Sequence, residues 1–188
     1  MNNAQRLKIL SNLCKTVFSL KNLQNLWGSN LYTTKIIAKR MVDKKLITRI
    51  ERGYYALDEK FILYELANLI ISPSYVSLNS SLFHYGISFQ VTNIITSVSL
   101  LSYQRKAREM TFKYYAMKDS LFFNLEGISY KDNLAIARPE RAILDCFYFN
   151  VLPNIDNSDK LNINYLKKIS SYYPKTVQEK LGKFLEKL

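Results

Sequence analysis

The spacing of apolar positions predicts three helices in the first part of the chain. The first helix runs over about residues 4–15, and the second follows Ser19, which is a plausible N-cap. A short turn at residues 28–30 leads to a third helix, for which Asn30 is the candidate cap. The apolar residues at helical spacing in the first two helices are Leu7, Leu10, Leu13, Cys14, Leu20, Leu23, Leu26 and Trp27.

The third helix has two contrasting faces. The face predicted to dock on the first two helices consists of Leu31, Thr34, Ala38, Met41, Val42 and Lys45, with Ile37 at its margin. The opposite face consists of Tyr32, Lys35, Ile36, Lys39, Arg40 and Asp43. Basic groups contact phosphates or guanine edges and an apolar side chain contacts a thymine methyl, so this mixture suits a DNA recognition helix. A lone basic amphipathic helix is more often a solvated surface.

The pattern changes to alternation after Leu46. Gly53 interrupts the run, which predicts two short strands joined at Arg52-Gly53. Three helices followed by a basic hairpin predict a winged helix-turn-helix domain over residues 1–58. Its third helix would enter the major groove through Tyr32, Lys35, Ile36, Lys39 and Arg40, and the phosphate contacts would come from Lys44, Lys45, Arg49 and Arg52.

Residues 59–188 predict a mixed α/β domain that closes with C-terminal helices, which makes the whole chain α+β. Its predicted strands lie over residues 93–101, 111–117 and within 122–130, after a short extended stretch at 75–78. Its predicted helices cover residues 61–71, 79–85, 137–149, 165–173 and 176–188, with a loop at 151–161.

Charge is concentrated in the first segment. The chain of 188 residues carries a net charge of +12, and residues 1–57 hold eleven basic against two acidic residues. Such a distribution is typical of a surface that binds a polyanion.

The composition, 48% hydrophobic and 22% charged, is that of a globular protein. No apolar run reaches the roughly 20 residues of a membrane span and the N-terminus lacks a signal-peptide core, so we expect a cytoplasmic protein without a membrane partner.

Features of an enzyme are sparse in the sequence. No glycine-rich phosphate loop is present, and one histidine and two cysteines form no metal-binding pattern. Cys146 lies among apolar residues and is expected to be structural, as is His84. A nuclease cluster of Asp132, Glu140 and Asp145 is a minor alternative, because Glu140 and Asp145 diverge on one helix. We therefore predict no catalytic residues, no metal and no cofactor.

Three stretches, in order, resemble the abortive-infection type IV antitoxins (the AbiEi family). They are residues 46–57 (LITRIERGYYAL), 72–86 (SPSYVSLNSSLFHYG) and 136–145 (IARPERAILD). Members of that family usually carry a lysine where this chain has Arg141, so the charge is kept. The matched residues of the second domain, which the resemblance would assign to an antitoxin motif, are Tyr75, Ser77, Ser80, Ser81, Glu140 and Asp145.

The resemblance implies two roles. The N-terminal domain would bind inverted repeats in its own promoter as a transcriptional autorepressor linked to phage defence. The second domain would counteract a nucleotidyltransferase-like toxin of a toxin-antitoxin system without a stable complex. Some relatives are stand-alone regulators linked to phage defence. The alternative for this chain is therefore a stand-alone winged-helix regulator whose second domain senses a ligand or partner, and the sequence leaves this alternative and the oligomeric state open. Motif residues of this kind more often hold the fold together, and that is the favoured interpretation here.

A second basic cluster lies between two predicted strands of the α/β domain. It consists of Arg105, Lys106 and Arg108. These residues are candidates for extending the DNA-binding face, and a solvated charged loop is the equally weighted alternative.

Overall fold

The protein has an α+β fold divided into two compact units, Met1–Ile70 and Ile71–Leu188. The computed structural model describes residues 1–131 and 133–186. The predicted domain boundary after residue 58 falls inside the first unit, which extends to Ile70. Within the described residues the longest helix has 13 residues, and none of the helices is long and apolar enough to cross a membrane.

The first unit combines four helices with a small antiparallel sheet whose strand order is β1-β3-β2. Its elements are α1 (Asn3–Ser11), β1 (Val17–Ser19), α2 (Leu20–Trp27), α3 (Leu31–Asp43), β2 (Thr48–Glu51), β3 (Tyr54–Ala56) and α4 (Leu63–Ile70). One core holds the helices against the sheet, and its buried residues are Leu10, Phe18, Leu23, Trp27, Ala38, Met41, Ile47 and Tyr55.

Local sequence signals place the ends of α2 and α3. Ser19 Oγ accepts the backbone N–H of Asn22 at 3.1 Å, and the Asn22 side chain accepts the Ser19 N–H at 3.0 Å. Asn30 Oδ1 accepts the Thr33 N–H at 2.8 Å. Gly28 ends α2 in the left-handed region at φ +60°. The predicted caps, Ser19 and Asn30, are confirmed.

The first helix is shorter than predicted. It ends at Ser11, and Leu13 and Cys14 are exposed beyond it, so their predicted place on a buried face is wrong. Strand β1 follows, with Val17 paired to Ala56. The sequence did not predict this strand because its hydrogen-bonding partner lies far along the chain.

Two residues assigned to the buried face of α3 lie elsewhere. Leu31 in the first turn is 46% exposed. Lys45 lies past the end of the helix at φ +55° and is exposed. Thr34, Ala38 and Met41 are buried as predicted.

Helix α4 belongs to the first unit because a buried carboxylate ties it to β1. Glu65 is 2% exposed, and its Oε2 accepts the backbone N–H groups of Thr16 at 2.8 Å and Val17 at 3.1 Å. The Ile62 N–H donates in return to Thr16 Oγ1 at 2.9 Å. Tyr54 OH also donates to the Leu69 carbonyl at 3.3 Å. These contacts fix both the start of β1 and the turn that enters α4.

The second unit is built on a six-stranded mixed sheet. Its strands are β4 (Ser74–Val76), β5 (Ile94–Ser99), β6 (Tyr103–Ala107), β7 (Met110–Ala116), β8 (Ile128–Lys131) and β9 (Leu134–Ala137). The order is β6-β7-β5-β4-β9-β8, in which the β4–β9 and β5–β7 pairs are parallel and the other pairs antiparallel.

Five α-helices accompany this sheet in the described residues. They are α5 (Leu78–His84), α6 (Asp119–Phe122), α7 (Pro139–Tyr148), α8 (Ile163–Ser170) and α9 (Lys175–Leu185), with a short 3-10 helix at Ser158–Lys160. Helix α7 lies at the centre of the core, where Ala142, Ile143, Leu144 and Cys146 are all 0% exposed. Pro139 occupies its first turn, as predicted.

The sheet confirms one prediction for the second unit and corrects another. Residues 122–130, predicted to hold one or two strands, contain the end of α6 and the first three residues of β8, so one strand is confirmed. Residues 105–107, predicted to lie in a connection between strands, form part of β6. Each short strand depends on a neighbour for its hydrogen bonds, so its own sequence is a weak indicator.

Candidate nucleic-acid interface

The exposed side of α3 carries two parallel rows of side chains. Because residues four apart lie nearly above one another on an α-helix, Tyr32, Ile36 and Arg40 form one row. Lys35 and Lys39 form the adjacent row. Tyr32 is 75% exposed, Lys35, Lys39 and Arg40 are exposed, and Ile36 is half-buried. The structure thus brings the five predicted groove residues onto one side of one helix.

The other side of α3 fixes its orientation in the first unit. Ala38 and Met41 are 0% exposed and pack in the core beside Leu23 and Trp27 of α2. The Thr34 hydroxyl is also buried and lies 2.7 Å from the Ser29 hydroxyl in the turn between the two helices. Packing and hydrogen bonding of the buried face fix the rotation of α3 about its own axis, so the two exposed rows always face away from the core of the first unit.

The hairpin of β2 and β3 presents two further arginines. Ile50 is buried while Arg49 and Arg52 are exposed, and a register shift lies between Arg49 and Glu51. Arg49 Nε donates to the Glu51 carbonyl at 3.4 Å. Arg52 stands at the tip beside Gly53, whose φ of +89° is accessible to glycine at little cost. The predicted hairpin and the exposure of both arginines are confirmed.

Lys44 and Lys45 follow the last turn of α3. The Lys44 N–H donates to the Arg40 carbonyl, and the Lys45 N–H donates to the Val42 carbonyl at 2.8 Å. Both side chains are exposed. Cations at a helix C-terminus are stabilised by the helix dipole, so their position has a structural explanation beside the predicted contact with phosphates.

The basic side chains of α3, of the two residues after it and of the hairpin tip have no ionic partner among the described residues of the first unit. This holds for Lys35, Lys39, Arg40, Lys44, Lys45 and Arg52, none of which lies within 4.0 Å of a described carboxylate there. The unit as a whole has twelve basic and five acidic residues. We name the surface formed by Tyr32, Lys35, Ile36, Lys39, Arg40, Lys44, Lys45, Arg49 and Arg52 the α3–hairpin surface.

The second basic cluster lies at one edge of the six-stranded sheet. Arg105 is half-buried and Lys106 exposed on β6, and exposed Arg108 follows in the turn at φ +52°. Strand β6 pairs with β7 on one side only. Charged residues on an edge strand discourage pairing with other chains, so this placement gives the cluster a structural role. Arg105 and Lys106 lie on a strand and not in the predicted loop, although Lys106 and Arg108 are exposed to solvent.

The motif residues of the second unit are mostly buried. Tyr75, Ser77, Ser81 and Asp145 are at most 2% exposed. Ser77 Oγ donates to Asp145 Oδ2 at 2.6 Å, and Ser81 Oγ donates to the Ala137 carbonyl. Ser80 Oγ, which is 8% exposed, accepts the Thr96 N–H at 2.8 Å. These contacts tie α5 to α7 and to the sheet, which fits the interpretation that the motif holds the fold together.

Arg141 and Tyr173 complete a buried polar cluster with Asp145. Arg141 is 1% exposed, and its Nε lies 3.4 Å from Asp145 Oδ1. Tyr173 OH donates to the same oxygen at 2.6 Å. The sequence did not indicate Tyr173, because no local pattern links it to a helix 28 residues earlier.

The same arginine holds a surface loop in place. Its Nη1 donates to the Asn124 and Glu126 carbonyls at 3.1 and 3.2 Å, and its Nη2 donates to the Leu121 carbonyl at 3.0 Å. The Arg141 Cβ lies 2.9 Å from where a Cβ on Gly127 would stand, so residue 127 must be glycine. An arginine fork reaches these carbonyls together, which the single ammonium of a lysine would not.

Burial controls the ionisation of this cluster. Loss of solvent raises the pKa of Tyr75 and of Tyr173 well above the ordinary value, and the charge of Asp145 raises both further. Burial opposes the charge on Arg141, but the attraction of Asp145 outweighs it and raises the pKa of the guanidinium. Burial likewise raises the pKa of the Cys146 thiol, which disfavours the reactive thiolate.

Two of the three acidic residues considered for a nuclease make structural contacts. Glu140 is 6% exposed and its Oε1 accepts the Asn162 N–H at 2.9 Å. Asp145 is buried in the polar cluster, and Asp132 lies outside the described residues. Among the described residues, no three side chains of His, Cys, Asp or Glu come together as a metal site.

Comparison of the chain with protein-family models and with curated proteins found no match in either set.

Proposed function

We propose that the first unit is a winged helix-turn-helix domain that binds duplex DNA through the α3–hairpin surface. In this proposal α3 enters the major groove and the β2–β3 hairpin is the wing. The observation that carries the proposal is the single exposed side of α3, whose cations have no ionic partner among the described residues of the first unit. An α-helix with its side chains is about 10–12 Å in diameter and the major groove is about 12 Å wide, so α3 can lie in the groove.

The hairpin adds to this support. Arg49 and Arg52 are exposed on a short two-stranded ribbon that follows α3 directly in the sequence. An arginine at the tip of such a ribbon suits the phosphate backbone or the minor groove. The first unit can therefore contact DNA at two places.

For the whole chain we propose the role of a type IV antitoxin and transcriptional autorepressor that acts in the cytoplasm. The first unit would bind inverted repeats in its own promoter, and the second would oppose a nucleotidyltransferase-like toxin without a stable complex. This rests on the resemblance of residues 46–57, 72–86 and 136–145 to the AbiEi family. A stand-alone winged-helix regulator is the alternative. Co-expression distinguishes the two roles, because an antitoxin should abolish the toxicity of the neighbouring gene's product and a stand-alone regulator should not.

The DNA-binding proposal is tested by titrating the protein against its own promoter in a gel-shift assay at moderate salt. The Lys39→Ala/Arg40→Ala variant should bind the promoter much more weakly than the wild type. A matched control, Lys167→Ala/Lys183→Ala, also removes two positive charges, but from exposed positions on α8 and α9, and it should retain binding. Equal affinities of the α3 variant and the wild type would refute the groove assignment.

A further inference from the structure

The row of Tyr32, Ile36 and Arg40 differs in chemistry from the row beside it. It presents an aromatic ring, an aliphatic side chain and a guanidinium, whereas Lys35 and Lys39 present only ammonium groups. Ammonium groups serve well as point charges for phosphate, while a planar guanidinium donates two parallel hydrogen bonds. The two rows are therefore suited to different parts of a duplex, the lysines to the backbone and the mixed row to the bases.

The composition of α3 restricts which bases that row can read. Residues 31–43 contain no asparagine and no glutamine, the side chains that pair in bidentate fashion with adenine. Arginine pairs in the same way with the O6 and N7 atoms of guanine, and apolar groups contact the methyl of thymine. Arg40 is exposed and has no ionic partner among the described residues of its unit, so its guanidinium is available.

We propose that α3 selects operators in which a guanine read by Arg40 lies about two base pairs from a thymine whose methyl contacts Ile36. Tyr32 would contact a further apolar base edge beyond that thymine. Four residues rise about 6 Å along a helix and successive bases rise about 3.4 Å along a strand, which sets the spacing. This inference rests on the proposed function and specifies the sequence that the same surface prefers.

The first experiment selects binding sites from a pool of random duplexes with the full-length protein and with Arg40→Lys. Lysine keeps the charge but loses the fork, so Arg40→Lys should lose the preference for guanine at one position by about tenfold or more. Selection of the same guanine by both proteins would overturn the inference while leaving DNA binding intact. Failure of the wild type to bind any duplex would instead overturn the proposed function, and the inference with it.

The second experiment removes single base atoms from the selected site. Replacing the thymine with deoxyuridine deletes one methyl and should weaken wild-type binding about fourfold, since one buried carbon is worth about that factor. In Ile36→Ala the same replacement should have little effect, because the contact is already absent. Equal sensitivity of the two proteins to deoxyuridine would show that Ile36 does not read this base. Circular dichroism of both variants checks that the fold is retained.

Discussion

Glu65 on α4 accepts the backbone N–H of Val17, the first residue of β1, at 3.1 Å, and both residues are buried. The same oxygen accepts the Thr16 N–H at 2.8 Å. A carboxylate thereby takes the place of a strand neighbour at the start of β1. Helix α4 lies outside the predicted domain of residues 1–58, yet it completes the unit that carries the α3–hairpin surface.

Replacing Glu65 with alanine should destabilise the first unit by about 2–4 kcal/mol, because two backbone donors lose their partner. Glu65→Gln keeps an accepting oxygen and should cost about half as much. Denaturant unfolding of the full-length variants measures both values. Equal stability of Glu65→Ala and the wild type would mean that water satisfies these N–H groups and that α4 is dispensable for β1.

Replacing Arg141 with lysine should destabilise the second unit although it preserves the charge. One ammonium cannot reach the carbonyls of Leu121, Asn124 and Glu126 at once, so we expect a loss of about 1–3 kcal/mol. Arg141→Met leaves Asp145 without its ion pair and should cost about 3–5 kcal/mol. Chemical denaturation monitored by circular dichroism gives the order of the three proteins.

A double variant separates the ion pair from the remaining contacts of Arg141. Arg141→Met/Asp145→Leu removes both charges, so it should be more stable than the sum of the two single variants predicts. Strict additivity of the two losses would contradict a direct coupling between Arg141 and Asp145.

The raised pKa values of Tyr75 and Tyr173 predict sensitivity to alkaline pH. Burial keeps both phenols protonated in the folded state, whereas in the unfolded chain they ionise near the ordinary value of 10.0. The stabilisation is therefore complete below about pH 10 and decreases as the pH rises above it. Unfolding free energies measured at pH 8 to 11 test this. Tyr173→Phe should be less stable at neutral pH, having lost its hydrogen bond to Asp145, and should lose less stability on alkalinisation.

Salt dependence distinguishes phosphate contacts from base contacts on the α3–hairpin surface. If about five phosphates are neutralised, the logarithm of the association constant should fall with log salt at a slope near −4.5. Lys44→Ala/Arg52→Ala should reduce the steepness by about 1.8, since each phosphate contact contributes about 0.9. Ile36→Ala should weaken binding without changing the slope. An unchanged slope for the Lys44/Arg52 variant would place these cations away from the backbone.

Most of the α3–hairpin surface could be predicted from the sequence because its signals are local. Ser19 and Asn30 cap the helices that they precede, and Gly28 separates those helices. Period-3.6 spacing separates buried Ala38 and Met41 from exposed Lys35, Lys39 and Arg40. The resemblance also singled out Ser77 and Asp145, but not the polar contact between them.

The α+β class, the helix caps, the hairpin turn and the two faces of α3 follow from the amino-acid sequence, because each depends on residues within about one or two helical turns. The pairing of β1 with β3, the inclusion of α4 in the first unit and the burial of Arg141 with Asp145 become visible only in the folded chain. The same is true of the position of Arg105 and Lys106 on an edge strand. These features depend on hydrogen-bonding partners far apart in the chain, and such pairings form only when the whole unit excludes water.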